Sequence, residues 1–198
     1  MDGEIEFDYT IKILIIGDSN VGKTNFIHRF CDNEFNQIYM ATTSVDLKSS
    51  LLEINDKKIR IQLWDTAGQE KFRSITKNLF LKVQGVLAVY DITDEKSFKN
   101  LRSWVSLIKE EYGNMPIIIV GNKNDLENQR LISKNEAISY AEEQKIDYIE
   151  TSSKTGDNIT KALTLIAQKI LDNSEFKNDF SFTLDSSSIY NKNKRKCC

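Results

Sequence analysis

Short, almost wholly apolar runs alternate along the chain with longer stretches in which apolar residues recur every third or fourth position. The runs read as strands buried on both faces, and the stretches as helices that cover them. Ile11 to Ile16 is the first run, interrupted only by Lys12. A helix is predicted from Lys23 to about Asp32, with Phe26, Ile27 and Phe30 on its apolar side. Val45 to Ile54 and Lys57 to Trp64 read as two strands joined through Asn55-Asp56, a turn pair that makes them antiparallel. Gly85 to Thr93 and Pro116 to Gly121 are further buried strands, with Pro116 at a strand start, where a missing N–H is tolerated. Between them Phe98, Leu101, Val105, Ile108 and Tyr112 keep helical spacing. Ser133 and Glu136 form a capping box for another helix, Ile146 to Thr151 is a short strand, and Ile159, Leu163, Ile166 and Ile170 stripe a last helix. The sum is an open α/β sheet of about six strands, mostly parallel with one antiparallel edge strand, with right-handed crossovers. Ligands on such sheets bind at the carboxyl ends of the strands.

Composition narrows the setting. At 198 residues, 28% of them charged and 40% hydrophobic, the chain can build one good core of ordinary soluble type. A net charge of −2 gives no global pull toward nucleic acid. Three cysteines, with Cys31 isolated and Cys197 beside Cys198, make no disulfide framework and favour a reducing compartment. MDGEIEFDYT has neither the basic start nor the apolar run of a signal peptide, and no apolar run nears the ~20 residues of a membrane span. His28, lone in the first helix, and Cys31 make no metal site and receive no role.

Candidate chemistry collects at the predicted strand ends. Gly17 to Thr24, GDSNVGKT, matches G-x-x-x-x-G-K-[ST] between strand and helix. Glycines let the backbone curl until successive N–H groups point inward, so that a phosphate chain rests on them and on the positive end of the helix dipole. Ser19, Asn20, Val21, Gly22, Lys23, Thr24 and Asn25 are the phosphate-binding set, Lys23 reaching the β and γ phosphates and Thr24 holding Mg²⁺. In Trp64-Asp65-Thr66-Ala67-Gly68-Gln69-Glu70, Asp65 suits a Mg²⁺ ligand acting through water, the Gly68 N–H a γ-phosphate donor, and Gln69 the group that orients an attacking water. Asn122-Lys123-Asn124-Asp125 follows the next strand. A carboxylate there accepts two parallel hydrogen bonds from N1–H and the 2-amino group of guanine, neither of which adenine offers, so Asp125 is the specificity residue. Thr151-Ser152-Ser153-Lys154 closes the pocket, with the Ser153 N–H on guanine O6 and Ser152 bracing Asp125.

With these four motifs in this order and spacing, from about Thr10 to Leu171, the chain resembles a small GTPase of the Ras superfamily, and within it the Rab family. RIQLW (Arg60 to Trp64), KFRSI (Lys71 to Ile75), VYDIT (Val89 to Thr93) and the terminal cysteine pair carry the Rab resemblance. It implies a three-layer P-loop NTPase fold with about five helices, binding of GTP and GDP with Mg²⁺, and slow, partner-stimulated GTP hydrolysis. By position, it makes Thr42 the switch I threonine that ligates Mg²⁺ when GTP is bound, sets Phe35 edge-on against the guanine and puts Tyr39 near the phosphates. It also implies an exchange factor, a GTPase-activating protein, effectors on switch I and switch II, a prenylation escort and a GDP-dissociation inhibitor, around a monomer that serves vesicle traffic. The residues depart from the family in places. Thr43-Ser44-Val45-Asp46-Leu47 stands where Rabs usually carry Ile-Gly-Val-Asp-Phe, and Leu79-Phe80-Leu81-Lys82-Val83 where they carry two tyrosines, Arg, Gly and Ala. Asn20 takes a position that is Gly in many relatives, and Ser19 sits nearest the γ phosphate; either substitution is able to slow hydrolysis.

The division expected is an N-terminal extension over 1–9, a GTPase domain over 10–172 and a flexible tail over 173–198. As a coil, the 26-residue tail has a root-mean-square reach of about 25 to 30 Å. Lys192, Lys194, Arg195 and Lys196 precede Cys197 and Cys198, on which the Rab resemblance places geranylgeranyl groups; the ending is not C-a-a-X. Two such chains anchor stably where one is marginal, which expects residence on the cytoplasmic face of an intracellular membrane with a soluble cytosolic pool. No arginine finger in cis is evident, since Arg29, Arg60 and Arg73 read as surface or sheet residues. Three other readings use the same residues: a P-loop kinase or ATPase, which NKND and TSSK oppose; a nucleotide-binding module with little hydrolysis; and a Ras-type signalling GTPase outside membrane traffic.

Overall fold

The structure, a computed structural model, describes residues 6–37, 46–65 and 83–173. Six strands, β1 (Tyr9–Ile16), β2 (Asp46–Ile54), β3 (Lys57–Asp65), β4 (Gly85–Asp91), β5 (Ile117–Asn122) and β6 (Asp147–Thr151), form one sheet in the order β2-β3-β1-β4-β5-β6. Every neighbouring pair is parallel except β2 with β3. Asn55 and Asp56 both have positive φ, 52° and 60°, the backbone that a two-residue hairpin turn needs to match strand twist. Among the described residues the α-helices are α1 (Lys23–Asp32), α2 (Glu95–Tyr112), α3 (Lys134–Gln144) and α4 (Ile159–Asp172), with a 3-10 helix at Asn124–Gln129. None is long and apolar enough to cross a membrane.

Alternation along β1 divides the core into two layers. Ile11, Ile13 and Ile15 face α1 and α4, packing with Phe26, Ile27, Leu163, Ile166 and Ile170, while Leu14 and Ile16 face α2 and α3, packing with Phe98, Leu101, Val105 and Ala137. Each fully buried isoleucine or leucine contributes about 1.5 to 3 kcal/mol relative to an exposed one, which is why the central strands tolerate almost no polar residue. The same rule makes the exceptions informative. Lys23, Asp65, Asp91, Ser97, Asn122, Thr151, Ser152 and Ser153 are buried, and all but Lys23 and Ser97, in the first turns of α1 and α2, lie at or just beyond strand carboxyl ends.

Several element ends differ from the sequence pattern for local reasons. β4 stops at Asp91, two residues short of Thr93, because the Asp91 carboxylate folds back to accept from the Thr93 N–H at 2.8 Å and its hydroxyl at 2.7 Å. β6 starts at Asp147 because the Ile146 N–H is used by the Ala141 carbonyl at the end of α3. The capping box at α3 forms by one arm: Ser133 Oγ accepts from the Glu136 N–H at 3.1 Å, while the Glu136 carboxylate meets Arg102 of α2 at 3.4 Å.

Candidate active site

β1 ends in a turn that main-chain packing reserves for glycine. Gly17 has φ 142°, and a Cβ there would lie 2.1 Å from the Val89 carbonyl oxygen. Gly22, the N-cap of α1, has φ 97°, and its Cβ would lie 2.4 Å from Asn122 Nδ2. Between them Asn20 sits at φ 65°, a left-handed conformation that Asn tolerates better than other non-glycine residues. The Asn20 substitution therefore keeps the curl of the loop.

Lys23 begins α1 and is 5% exposed, its Nζ donating to the carbonyls of Gly17 at 2.8 Å and Asp18 at 2.7 Å. Burial lowers its pKa to about 8, opposed by the charges of Asp65 and Asp18. Thr24 Oγ1 donates to Asp65 Oδ2 at 2.7 Å, joining the start of α1 to the end of β3. Burial raises the Asp65 pKa, opposed by this hydrogen bond and by Lys23. Beside this corner, Asn100 of α2 donates to Asp18 Oδ2 at 2.6 Å.

The far end of the site is built around Asn122, which is 1% exposed. Its Nδ2 donates to the Val21 carbonyl at 2.8 Å, and its Oδ1 accepts from Thr151 Oγ1 at 3.1 Å and the Ser153 N–H at 3.2 Å. One amide thus ties the loop after β1 to the loops after β5 and β6. The Ser153 N–H expected on guanine O6 is here turned onto Asn122. Ser152 Oγ donates to Asp125 Oδ1 at 2.6 Å and accepts from the Thr155 N–H at 3.1 Å, while Lys154 Nζ lies 3.9 Å from Asp125 Oδ2. Asp125 rides on the 3-10 helix, whose end is clamped by Arg130 between Glu127 and Glu150. Lys123, at φ 69°, sends Nζ to Asp91 Oδ2 at 2.6 Å.

Ser19 to Asn25, Asp65, Asn122, Lys123, Asp125, Ser152, Ser153 and Lys154 therefore converge on one edge of the sheet, at the carboxyl ends of β1, β3, β5 and β6. Phe35 is half-buried beyond the end of α1, in a segment held by a reciprocal pair: Asn25 Nδ2 donates to the Asn36 carbonyl at 2.9 Å and Asn25 Oδ1 accepts from the Asn36 N–H at 3.1 Å. Tyr39, Thr42, Gly68, Gln69, Cys197 and Cys198 lie outside the described residues.

The Ras family sequence model matches residues 12–172. The Ras-related protein Rab-13 of Canis lupus familiaris is 43% identical over 166 residues, covering 83% of this chain and 82% of its own. The GTP-binding protein ypt2 of Schizosaccharomyces pombe is 37% identical over 195 residues, covering 97% and 98%. The Ras-related protein Rab-1 of Theileria parva is 41% identical over 169 residues, covering 84% and 77%. The chain belongs to the Rab family of small GTPases. As a Rab-like GTPase it hydrolyses GTP to GDP and phosphate, and its setting is vesicle traffic.

For a Rab GTPase the unused atoms of the site matter as much as the paired ones. Asp65 Oδ1 is buried with no hydrogen-bond partner among the described residues, a costly state for a carboxylate oxygen. With the Thr24 hydroxyl 2.7 Å from the other oxygen, the corner offers hard oxygen donors of the type Mg²⁺ prefers, so the residues fit that ion. Arg29, Asp91 and Arg130 hold the loops of the site from outside it and belong to none of the four motifs. Arg29, read from sequence as a surface or sheet residue, is half-buried on α1 and donates to the carbonyls of Ser153 at 2.9 Å and Lys154 at 2.8 Å. The signal in sequence for Asp91 is its carboxylate at the end of an apolar strand, the same signal that singles out Asp65.

Proposed function

We propose that this Rab GTPase is a membrane-anchored switch whose GTP-bound form recruits effectors, with recognition of guanine by Asp125 and of the phosphates by the Gly17–Thr24 loop. The observation that carries the reading is the buried Lys23 ammonium at the start of α1, resting on two carbonyls of the loop after β1, so that a cation is already in place where a phosphate chain would lie. Its lowered pKa reflects burial without a full countercharge, and β and γ phosphates would supply that charge. Ser152 holds the Asp125 carboxylate in one orientation, so that its two oxygens can accept in parallel from guanine N1–H and the 2-amino group. Guanine O6 would compete with Asn122 Oδ1 for the Ser153 N–H. By family position the ring edge of Phe35 would pack against the guanine and Tyr39 would lie near the phosphates.

Mg²⁺ bound by Thr24, Asp65 and Thr42 would neutralise charge on the β and γ phosphates. Gln69 orients the attacking water, and Lys23 stabilises charge on the transferring phosphoryl group. Thr42 and the Gly68 N–H belong to the grip on the third phosphate, so hydrolysis releases the segments that carry them, and effectors read that change on switch I and switch II. Intrinsic turnover is slow and rises about 10³-fold or more with an activating protein. An exchange factor reloads GTP, while a prenylation escort and a GDP-dissociation inhibitor handle the lipids on Cys197 and Cys198. The GTPase domain spans 10–172, the tail 173–198 is the tether, and the site of action is the cytoplasmic face of an intracellular membrane with a cytosolic pool.

Calorimetry with Mg²⁺ and single-turnover hydrolysis test this reading. GTP and GDP should bind and ATP should not compete, and Gln69→Leu should slow hydrolysis without weakening GTP binding. Competition by ATP at equal concentration would overturn it.

A further inference from the structure

We propose that Arg29 is a positioning residue that fastens the two walls of the guanine pocket to each other across the last turn of α1. One wall is the loop after β6. There Arg29 Nε donates to the Ser153 carbonyl at 2.9 Å and Nη2 to the Lys154 carbonyl at 2.8 Å. The other wall is the segment that carries Phe35. Here Nη1 donates to the Asn33 carbonyl at 2.9 Å and to Asn33 Oδ1 at 3.1 Å.

Asn33 is the C-cap of α1, left-handed at φ 55°, and its N–H returns to the His28 carbonyl. Three residues later both main-chain groups of Asn36 are taken by Asn25. Phe35 is thus held between two pinned positions, and Arg29 pins the first of them. On the opposite wall Asn122 holds Ser153 by its N–H while Arg29 holds it by its carbonyl, so the peptides on both sides of Ser153 are fixed.

A guanidinium suits this task because its donors lie in one rigid plane and can address three carbonyls and an amide oxygen at once. An ammonium would reach one or two of these. Nucleotide leaves only when a wall opens, and the same side chain restrains both. Arg29 acts through these backbones and lies six residues after Lys23, about 9 Å along the helix axis from the phosphate end. Its loss should therefore loosen retention of the base while leaving chemistry at the γ phosphate alone.

The inference rests on the assignment of Ser153, Lys154 and Phe35 to the base pocket, and the experiment separates the two. Release of a fluorescent GDP from the full chain is timed for the wild type, Arg29→Gln, Arg29→Lys, Asn33→Gly and Asp125→Ala, together with single-turnover hydrolysis of preloaded GTP and melting in excess GDP. Arg29→Gln should speed release at least about tenfold, the loss expected for one or more charge-assisted hydrogen bonds. Its hydrolysis rate should stay within about twofold by the same reasoning on distance. Arg29→Lys should recover only part of the retention. Asn33→Gly keeps the left-handed cap and should speed release modestly, with no added effect in the Arg29→Gln background. If Asp125→Ala speeds release and Arg29→Gln does not, the positioning role is overturned while the pocket stands. If neither does, the pocket assignment itself fails. Parallel losses of retention, hydrolysis rate and melting temperature in Arg29→Gln, or full additivity with Asn33→Gly, mark general loosening and overturn the proposal.

Discussion

Lys123 Nζ lies 2.6 Å from Asp91 Oδ2, linking the base-recognition loop after β5 to the end of the neighbouring strand β4. Asp91 is 5% exposed, and its other oxygen is occupied by Thr93, so the carboxylate is fully committed. Asp91→Asn would keep the Thr93 contacts but face the ammonium with an amide. The expected cost is about 3 kcal/mol in chemical denaturation, the lower end for breaking a buried pair, because the Lys123 side chain keeps 26% exposure. GDP release should quicken by about tenfold as the lysine loses its anchor.

The Ser152 hydroxyl separates orientation of the specificity carboxylate from its charge. Ser152→Ala leaves Asp125 charged but removes the 2.6 Å hydrogen bond to Oδ1, so guanine nucleotide affinity should fall about tenfold or more. Asp125→Asn removes an acceptor for both guanine donors and should cost about 10²- to 10⁴-fold, two charge-assisted hydrogen bonds at once. Titration calorimetry of each variant with GDP measures both losses. Equal effects would mean that the carboxylate serves only to hold the loop.

Much of this site is legible in the chain because its parts are local. The Gly17–Thr24 turn, the Asn55-Asp56 hairpin and the α1 span each depend on residues within one short window, and the pattern of apolar runs orders the strands around them. Arg29 is not legible for the opposite reason. It donates to main-chain carbonyls more than a hundred residues away, and a carbonyl acceptor places no demand on the identity of its own side chain. The 3-10 helix that carries Asp125 has no buried residue, so NDLENQ has no apolar stripe to reveal it. The capping box at Ser133 is half right because Arg102, on another helix, competes for Glu136.

Two glycines should differ in what they tolerate. At Gly17 an added Cβ meets the Val89 carbonyl at 2.1 Å, main chain in a strand buried on both faces. At Gly22 it meets the Asn122 amide at 2.4 Å, a side chain that can shift by giving up its bond to Val21. Gly17→Ala should therefore be the worse for folding, losing about 3 kcal/mol or more, from overpacking and positive-φ strain together. Gly22→Ala should fold better but bind nucleotide poorly, since yielding there uncouples the loop after β1 from Asn122. Denaturation and GDP binding measured on the same two variants test the crossover. Equal stability of the pair would contradict it.

Cys31, on α1 beside the His28, Asp32 and Lys48 cluster, gives a pH prediction. Burial, aided by the Asp32 charge and opposed by Lys48, pushes its thiol up to about 11. At pH 8 roughly one thiol in 10³ is ionised, and the thiolate is the reacting species. The greater intrinsic nucleophilicity of a high-pKa thiolate recovers part of that deficit, so alkylation of Cys31 in the folded protein should be at least about tenfold slower than that of an ordinary exposed cysteine. The sign for stability follows from the same shift. The native state holds its proton more tightly than the unfolded chain, so this contribution is fully present below about 9 and is lost as pH rises through about 11. Mass-mapped iodoacetamide labelling from pH 7 to 10 in the presence of GDP measures the rate at Cys31. Labelling as fast as that of a cysteine in an unfolded control would show that the thiol is neither buried nor shifted.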